Sequence, residues 1–301
     1  MATPEIIFHH YDTSPFSEKV RLLFGLKGLA WRSVIQPTIM PKPDLTPLTG
    51  GYRRIPVLQI GADVYCDSQV IMAEIAARAG GAPLEGEGWA VNLWADRLFF
   101  QATVPIIFGE IEVPQAFIDD RSKLSGRPFD AAAMKAAAVP MKSQWRGQAA
   151  WLDEALTGSD FLAGAKPGLA DIAAYMNIWF LGGAVRATSE QLMSGFERLN
   201  AWRVRVRAIG HGDRSEMTTT EALAVAKAAE PAPYADHDAN DPSGLAPGAA
   251  VKVMADDYGR DPIAGTLVAA NARRVVIARD DPTLGRIQVH FPRVGYLLLP
   301  A

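Results

Sequence analysis

The chain has 301 residues, 49% of them apolar and 21% charged, which is enough for two or three packed domains. A formal charge of −3 with no basic stripe argues against a nucleic-acid partner, and no apolar run reaches the length of a membrane span. The single cysteine, Cys66, excludes an internal disulfide framework and a two-cysteine redox centre.

Ile6-Ile7-Phe8 predicts a short strand, along which His9 and His10 alternate as ordinary side chains and at whose end Tyr11 packs as an interfacial aromatic. Such an early strand with no signal-peptide pattern before it leads us to expect a cytoplasmic protein. Ser14 then stands at a strand-to-helix turn, reading as an N-cap before Pro15, whose missing amide would be orphaned there anyway. The helix runs on through Val20, Leu22, Leu23 and Phe24.

Arg54 to Ile60 forms a strand with Pro56 near its start, Gly61-Ala62-Asp63 turns the chain, and Val64-Tyr65-Cys66 returns. Asp67-Ser68 caps the next helix, through Val70, Ile71 and Ile75, and Cys66 beside it is a small buried filler. The order is β, α, irregular, β, β, α.

From Trp89 to Asn200 the pattern is helical throughout, with Trp94, Leu98 and Phe99 on one face and an alanine-rich stretch from Ala131. A late helix opens at Asn200-Ala201-Trp202, and another runs from Glu221 to Ala229. Residues 231–247, with Pro231-Ala232-Pro233 and a polar run from Asp236 to Ser243, read as a linker. Five short strands follow, at 250–254, 263–269, 274–278, 287–291 and 296–299, and predict a small all-β, SH3-like barrel over 248–301. It carries no metal cluster, nucleophile pair or phosphate loop, so it is expected to act as a docking module, covering a cleft, contacting a second subunit or holding a protein partner.

The first eighty residues resemble the thioredoxin-like domain of cytosolic glutathione transferases, on Ser14-Pro15-Phe16-Ser17, Ile55-Pro56-Val57 and Asp67-Ser68 in that order. The likeness continues in the helical region, where the family carries a Ser/Thr-x-x-Asp capping box that here reads Gly168-Leu169-Ala170-Asp171, with only the acidic half kept. The expected organisation is an α/β thioredoxin-like domain over 1–82, an all-α domain over 88–230, the linker, and the β domain. Asp171 is expected to be structural.

The resemblance implies a cis bond before Pro56, backbone pairing of Ile55 with the cysteinyl unit of glutathione, and capture of the γ-glutamyl carboxylate by Ser68 and the helix amides beside Asp67. Ser14 stands where omega-type enzymes have cysteine, so it would donate a hydrogen bond to the glutathione sulfur; Tyr11 and Thr13 are the alternative donors, in that order. Phe16, Lys42, Arg53 and Arg54 are weaker candidates for glutathione contacts, and Trp94, Phe99, Ile106 and Phe108, with Phe16, for an apolar substrate site. Glutathione is then the co-substrate, with no metal, and a homodimer is expected. Two functions stay open: a transferase, or a close variant doing glutathione-dependent isomerisation or dehalogenation, and a transferase-fold scaffold that has lost turnover.

Overall fold

In the computed structural model, which describes residues 5–80 and 84–301, the first strand β1 (Ile7–His10) leads into α1 (Pro15–Leu26) and a parallel neighbour β2 (Ala30–Ile35). A short α2 (Thr46–Thr49) precedes the hairpin of β3 (Val57–Ile60) and β4 (Asp63–Cys66), closed by Gly61 with φ +61° and Ala62, and α3 (Ser68–Ala79) follows. The order matches the expected one except in the stretch read as irregular, which holds β2, paired parallel with β1, and the short α2. The domain boundary expected at residue 82 lies outside the described residues.

The helical region comprises α4 (Gly86–Trp94), a π-helical segment over Ala95–Phe99, α5 (Phe100–Glu110), α6 (Gln115–Ser125), α7 (Ala131–Ala155), α8 (Leu169–Ala184), α9 (Arg186–Met193) and α10 (Glu197–Arg207). Its apolar faces merge with those of α1 and α3 in one core around Phe24, Phe99, Trp145 and Trp202. Asp171 opens α8 from a fully buried position. It accepts from the Gly168 amide at 2.9 Å, the Leu162 amide at 2.9 Å and Trp202 Nε1 at 2.6 Å.

The hydroxyl missing at Gly168 is replaced from a distance. Glu85 accepts from the Leu169 amide at 3.1 Å, and its carboxylate fills the space a side chain at 168 would take. A small parallel strand, β5 (Asp213–Glu216), joins the free side of β2, and α11 (Thr219–Lys227) follows, opened by a reciprocal Thr218–Glu221 cap. Every residue of β5 is exposed and polar, so it carried no strand pattern.

The C-terminal β region has the expected five strands, β6 (Ala250–Ala255), β7 (Ile263–Ala270), β8 (Arg274–Asp281), β9 (Gly285–Pro292) and β10 (Tyr296–Pro300). Their ladder runs β10-β6-β7-β8-β9 and continues into the first domain, because β9 pairs parallel with β4, Asp63 opposite Gln288 and Tyr65 opposite His290. One ten-stranded sheet results. Val57, Val64, Cys66, Leu45 and Leu48 share a core with Val251, Val253, Ile277, Val289 and Phe291, so the region is built onto the thioredoxin sheet instead of being tethered beside it. The stretch expected to be a linker lies against that sheet as well: the Ala232 amide donates to Asp63 and the Asp238 amide to the Ala270 carbonyl, both at 2.9 Å.

Both histidines of β1 are buried and partnered, His9 by Gln59 at 2.9 Å and Gln36 at 3.2 Å, His10 by Ser33 at 3.0 Å and Arg21 at 3.1 Å. Burial pulls His9 down to about 4, and burial together with Arg21 pulls His10 down to about 3. Because the unfolded chain takes up these protons near about pH 6.5 and the folded chain only near 4 and 3, stability falls as the pH drops below that point. Urea midpoints measured from pH 7 to pH 4 should decline, and a His10→Gln variant should decline less steeply; equal slopes would assign the acid sensitivity to other groups.

Candidate active site

The turn after β1 and the start of α1 place two hydroxyls side by side. Ser14 caps α1, its oxygen accepting from the Ser17 amide at 3.2 Å, and its own amide donates to the Tyr11 carbonyl at 3.1 Å. Burial raises the Tyr11 phenol, while Arg121 and the Ser14 hydroxyl act in the other direction, so Tyr11 and Ser14 are neighbours. Thr13 points to solvent. The one acidic residue in the first turn of α1, Glu18, is held by Arg21 at 2.7 Å and His211 at 3.0 Å; these partners outweigh its burial and keep the carboxyl ionised. The positive end of α1 therefore faces Ser14 with its neighbouring carboxylate already paired.

The Ile55–Pro56 bond is cis, and Ile55 stands just ahead of β3. Among the described residues its amide and carbonyl take no hydrogen-bond partner, leaving a short stretch of backbone free to pair with an extended ligand. Asp67 caps α3 by accepting from the Gln69 amide at 2.9 Å, with a φ of 93° that no other described non-glycine residue shares in sign. Ser68 is 3% exposed, and its hydroxyl takes no partner among the described residues. Hydroxyl and helix N-terminus together form a cradle for a carboxylate.

The weaker candidates divide. Lys42 is buried, and burial together with Arg121 brings its ammonium down to about 8. Arg53 is committed to Asp120 of α6 at 2.5 Å. Arg54, expected to face a ligand carboxylate, already holds one: Asp257, from the turn after β6, at 2.5 Å, while the Tyr258 ring lies 4.2 Å from its guanidinium carbon. The same turn is gripped by Arg97 of the π-helical segment, 2.5 Å from Asp256, and Gly259 packs against Leu124 of α6 and Arg54. It thus lies across both domains that wall the cleft.

The apolar candidates are only partly brought together. Phe99 and Ile106 are fully buried, Phe99 between Trp94 and Trp145, so neither reaches an open surface and both leave the candidate set. Trp94 instead lines a groove of about 320 Å³ with Trp151 and Leu162, no lining residue of which belongs to the thioredoxin domain. Phe108 sits with Phe117 and Phe129. Phe16, two residues after Ser14, meets Phe100 at 4.9 Å, and Phe100 meets Phe180 at 6.2 Å. Phe100, Phe180, Tyr258, Arg121 and Tyr296 were missed in the sequence, since each joins the site through a contact between elements distant in the chain. No cluster of metal-ligating side chains occurs among the described residues, and no described helix is long and apolar enough to cross a membrane.

Family models describe the same two halves: residues 8–83 match the glutathione S-transferase N-terminal domain and residues 130–205 the glutathione S-transferase C-terminal domain. A GST-like protein from Pseudomonas syringae is 34% identical with a TM-score of 0.81, covering 99% of this chain and 100% of its own, so the likeness takes in the C-terminal strands. Glutathione S-transferase III (18% identical, TM-score 0.52, 76% of this chain and 100% of that one) and FzlA from C. crescentus (24%, 0.52, 68% and 88%) share the fold. No curated protein matches. The two family models, together with the full-length likeness to the Pseudomonas protein, show that this chain belongs to the glutathione S-transferase family.

Proposed function

We propose that the protein is a glutathione transferase that binds glutathione along Ile55, Asp67 and Ser68 and activates its thiol at Ser14, with Tyr11 as the neighbouring donor. The observation that carries this reading is that the Ile55 backbone and the Ser68 hydroxyl, the two groups expected to hold the peptide and its γ-glutamyl carboxylate, both stand without partners among the described residues. A free thiol titrates near about 8.5, and a hydroxyl donor plus the positive end of a helix lowers that by roughly one to two units. The thiolate then attacks a small apolar electrophile beside Phe16 and Phe100, forming a carbon–sulfur bond as the leaving group departs with the bonding electrons. Isomerisation and dehalogenation would use the same thiolate.

Lys42 and Arg121 give the other end of the site an excess of positive charge suited to the glycine carboxylate. A cytoplasmic homodimer fits the family, and its contact must use a face other than the β4 edge, which β9 covers. The scaffold reading draws on a specific observation too: Asp257 occupies Arg54, and its turn lies across the cleft. In that reading a protein partner would dock on the C-terminal region.

Calorimetric titration separates the two. Wild type should bind glutathione in the micromolar to millimolar range, and Ser68→Ala should weaken binding by about tenfold, the loss of one charge-assisted hydrogen bond. Ser14→Ala should leave binding nearly intact and abolish turnover of 1-chloro-2,4-dinitrobenzene. Absence of binding by the wild type would sink the transferase reading.

A further inference from the structure

The strained cap of α3 is completed by the last strand of the chain. Tyr296 of β10 places its hydroxyl 3.2 Å from Asp67 Oδ2 and 3.1 Å from the Tyr52 hydroxyl, and both tyrosines are buried. A carboxylate has no proton to give, so Tyr296 donates to Asp67 and accepts from Tyr52. Burial, with Asp67 nearby, raises both phenols and keeps them protonated as donors.

Asp67 differs from its acidic neighbour. The Asp96 carboxylate rests on Lys19 Nζ, at 2.6 and 2.8 Å, and takes Asn92 besides. Asp67 has a backbone amide and a phenol as partners, and no cation among the described residues. What it lacks is a positive counter-charge. Beside it stand the open Ser68 hydroxyl and the positive end of α3, which suit a carboxylate. An uncompensated carboxylate next to a carboxylate cradle is the complement of an α-amino acid head carrying an ammonium and a carboxylate on one carbon.

We propose that Tyr296 is a positioning residue for the ammonium of the glutathione γ-glutamyl group: the Tyr52–Tyr296–Asp67 chain fixes the strained Asp67 carboxylate toward that ammonium. This rests on the glutathione reading above. It makes the C-terminal β region a working part of the thiol site, holding the ligand's amino end through a residue that does not itself touch it.

The test compares two ligands, glutathione and its des-amino analogue, glutaryl-cysteinyl-glycine, titrated into wild type, Tyr296→Phe, Asp67→Asn and the double variant. The wild type should prefer glutathione. Tyr296→Phe should lower that preference by about tenfold by weakening glutathione alone, and in the Asp67→Asn background the same change should add nothing. Tyr52→Phe, which keeps the Tyr296–Asp67 contact, should shift the preference in the same direction by a smaller factor. Equal weakening of both ligands by Tyr296→Phe would assign Tyr296 to packing and overturn the proposal, as would an unchanged preference, while the glutathione reading stands in either case. A wild type that binds neither ligand overturns that reading and this inference with it.

Discussion

A chain truncated after Ser243 should fail to fold. The cut removes β6 to β10, strips β9 from the edge of β4, and uncovers Leu45, Leu48, Val57 and Val64, all fully buried against the C-terminal strands. Burial of such a side chain is worth about 1.5–3 kcal/mol, so the four together represent up to ~6–12 kcal/mol, as much as the whole net stability of an ordinary protein. The exposed edge of β4 would also offer free backbone groups to other chains. The truncated protein should accumulate as aggregate, or as a soluble species that binds ANS and lacks near-ultraviolet circular dichroism. A soluble product with a cooperative thermal transition would instead make the C-terminal strands a separable appendage and contradict the shared core.

Asp171→Ala should be the most damaging single substitution in the helical region. The carboxylate is fully buried and accepts from two backbone amides and the Trp202 indole, so its removal strands three buried donors at once. Burial raises this carboxyl despite those three bonds, which shows how closed the environment is. At about 1–3 kcal/mol per orphaned donor, with partial rescue by water, the cost should be roughly 3–5 kcal/mol. In a chain of this size that lowers the melting temperature by about 10 °C, readable by calorimetry. Asp171→Asn keeps one acceptor oxygen and should fall in between. A loss of less than a degree for Asp171→Ala would mean that α8 is capped well enough by Glu85 alone.

The two halves of the fold differ in how plainly the sequence announces them. Ser14-Pro15 and Asp67-Ser68 act within a few residues of themselves, through caps, so local pattern discloses them, while the cis bond before Pro56 comes from the family resemblance. The five C-terminal strands are visible for the same reason: each carries its own alternation. Their destination is not, because the choice of β4 as partner for β9 depends on which sheet edge the first domain leaves open. Within the site the same rule holds. Arg54 reads as a contact for a ligand carboxylate until Asp257 and Tyr258 arrive from the turn after β6, and Tyr296 reads as a strand aromatic until its hydroxyl meets Asp67. Phe99 misled because an aromatic stripe on a helix looks alike whether it lines a cleft or fills a core, and here it fills the core.

The pairing of β9 with β4 sets a timetable for assembly. Asp63 is made 225 residues before its partner Gln288, so the middle of the sheet stays incomplete until the chain between them and the C-terminal strands has left the ribosome. Until then one face of β3 and β4, with Val57, Val64 and Cys66, waits uncovered. Refolding should accordingly be slow for a protein with so much helix, and the nascent chain should depend on protection during synthesis more than a family member without the C-terminal strands does.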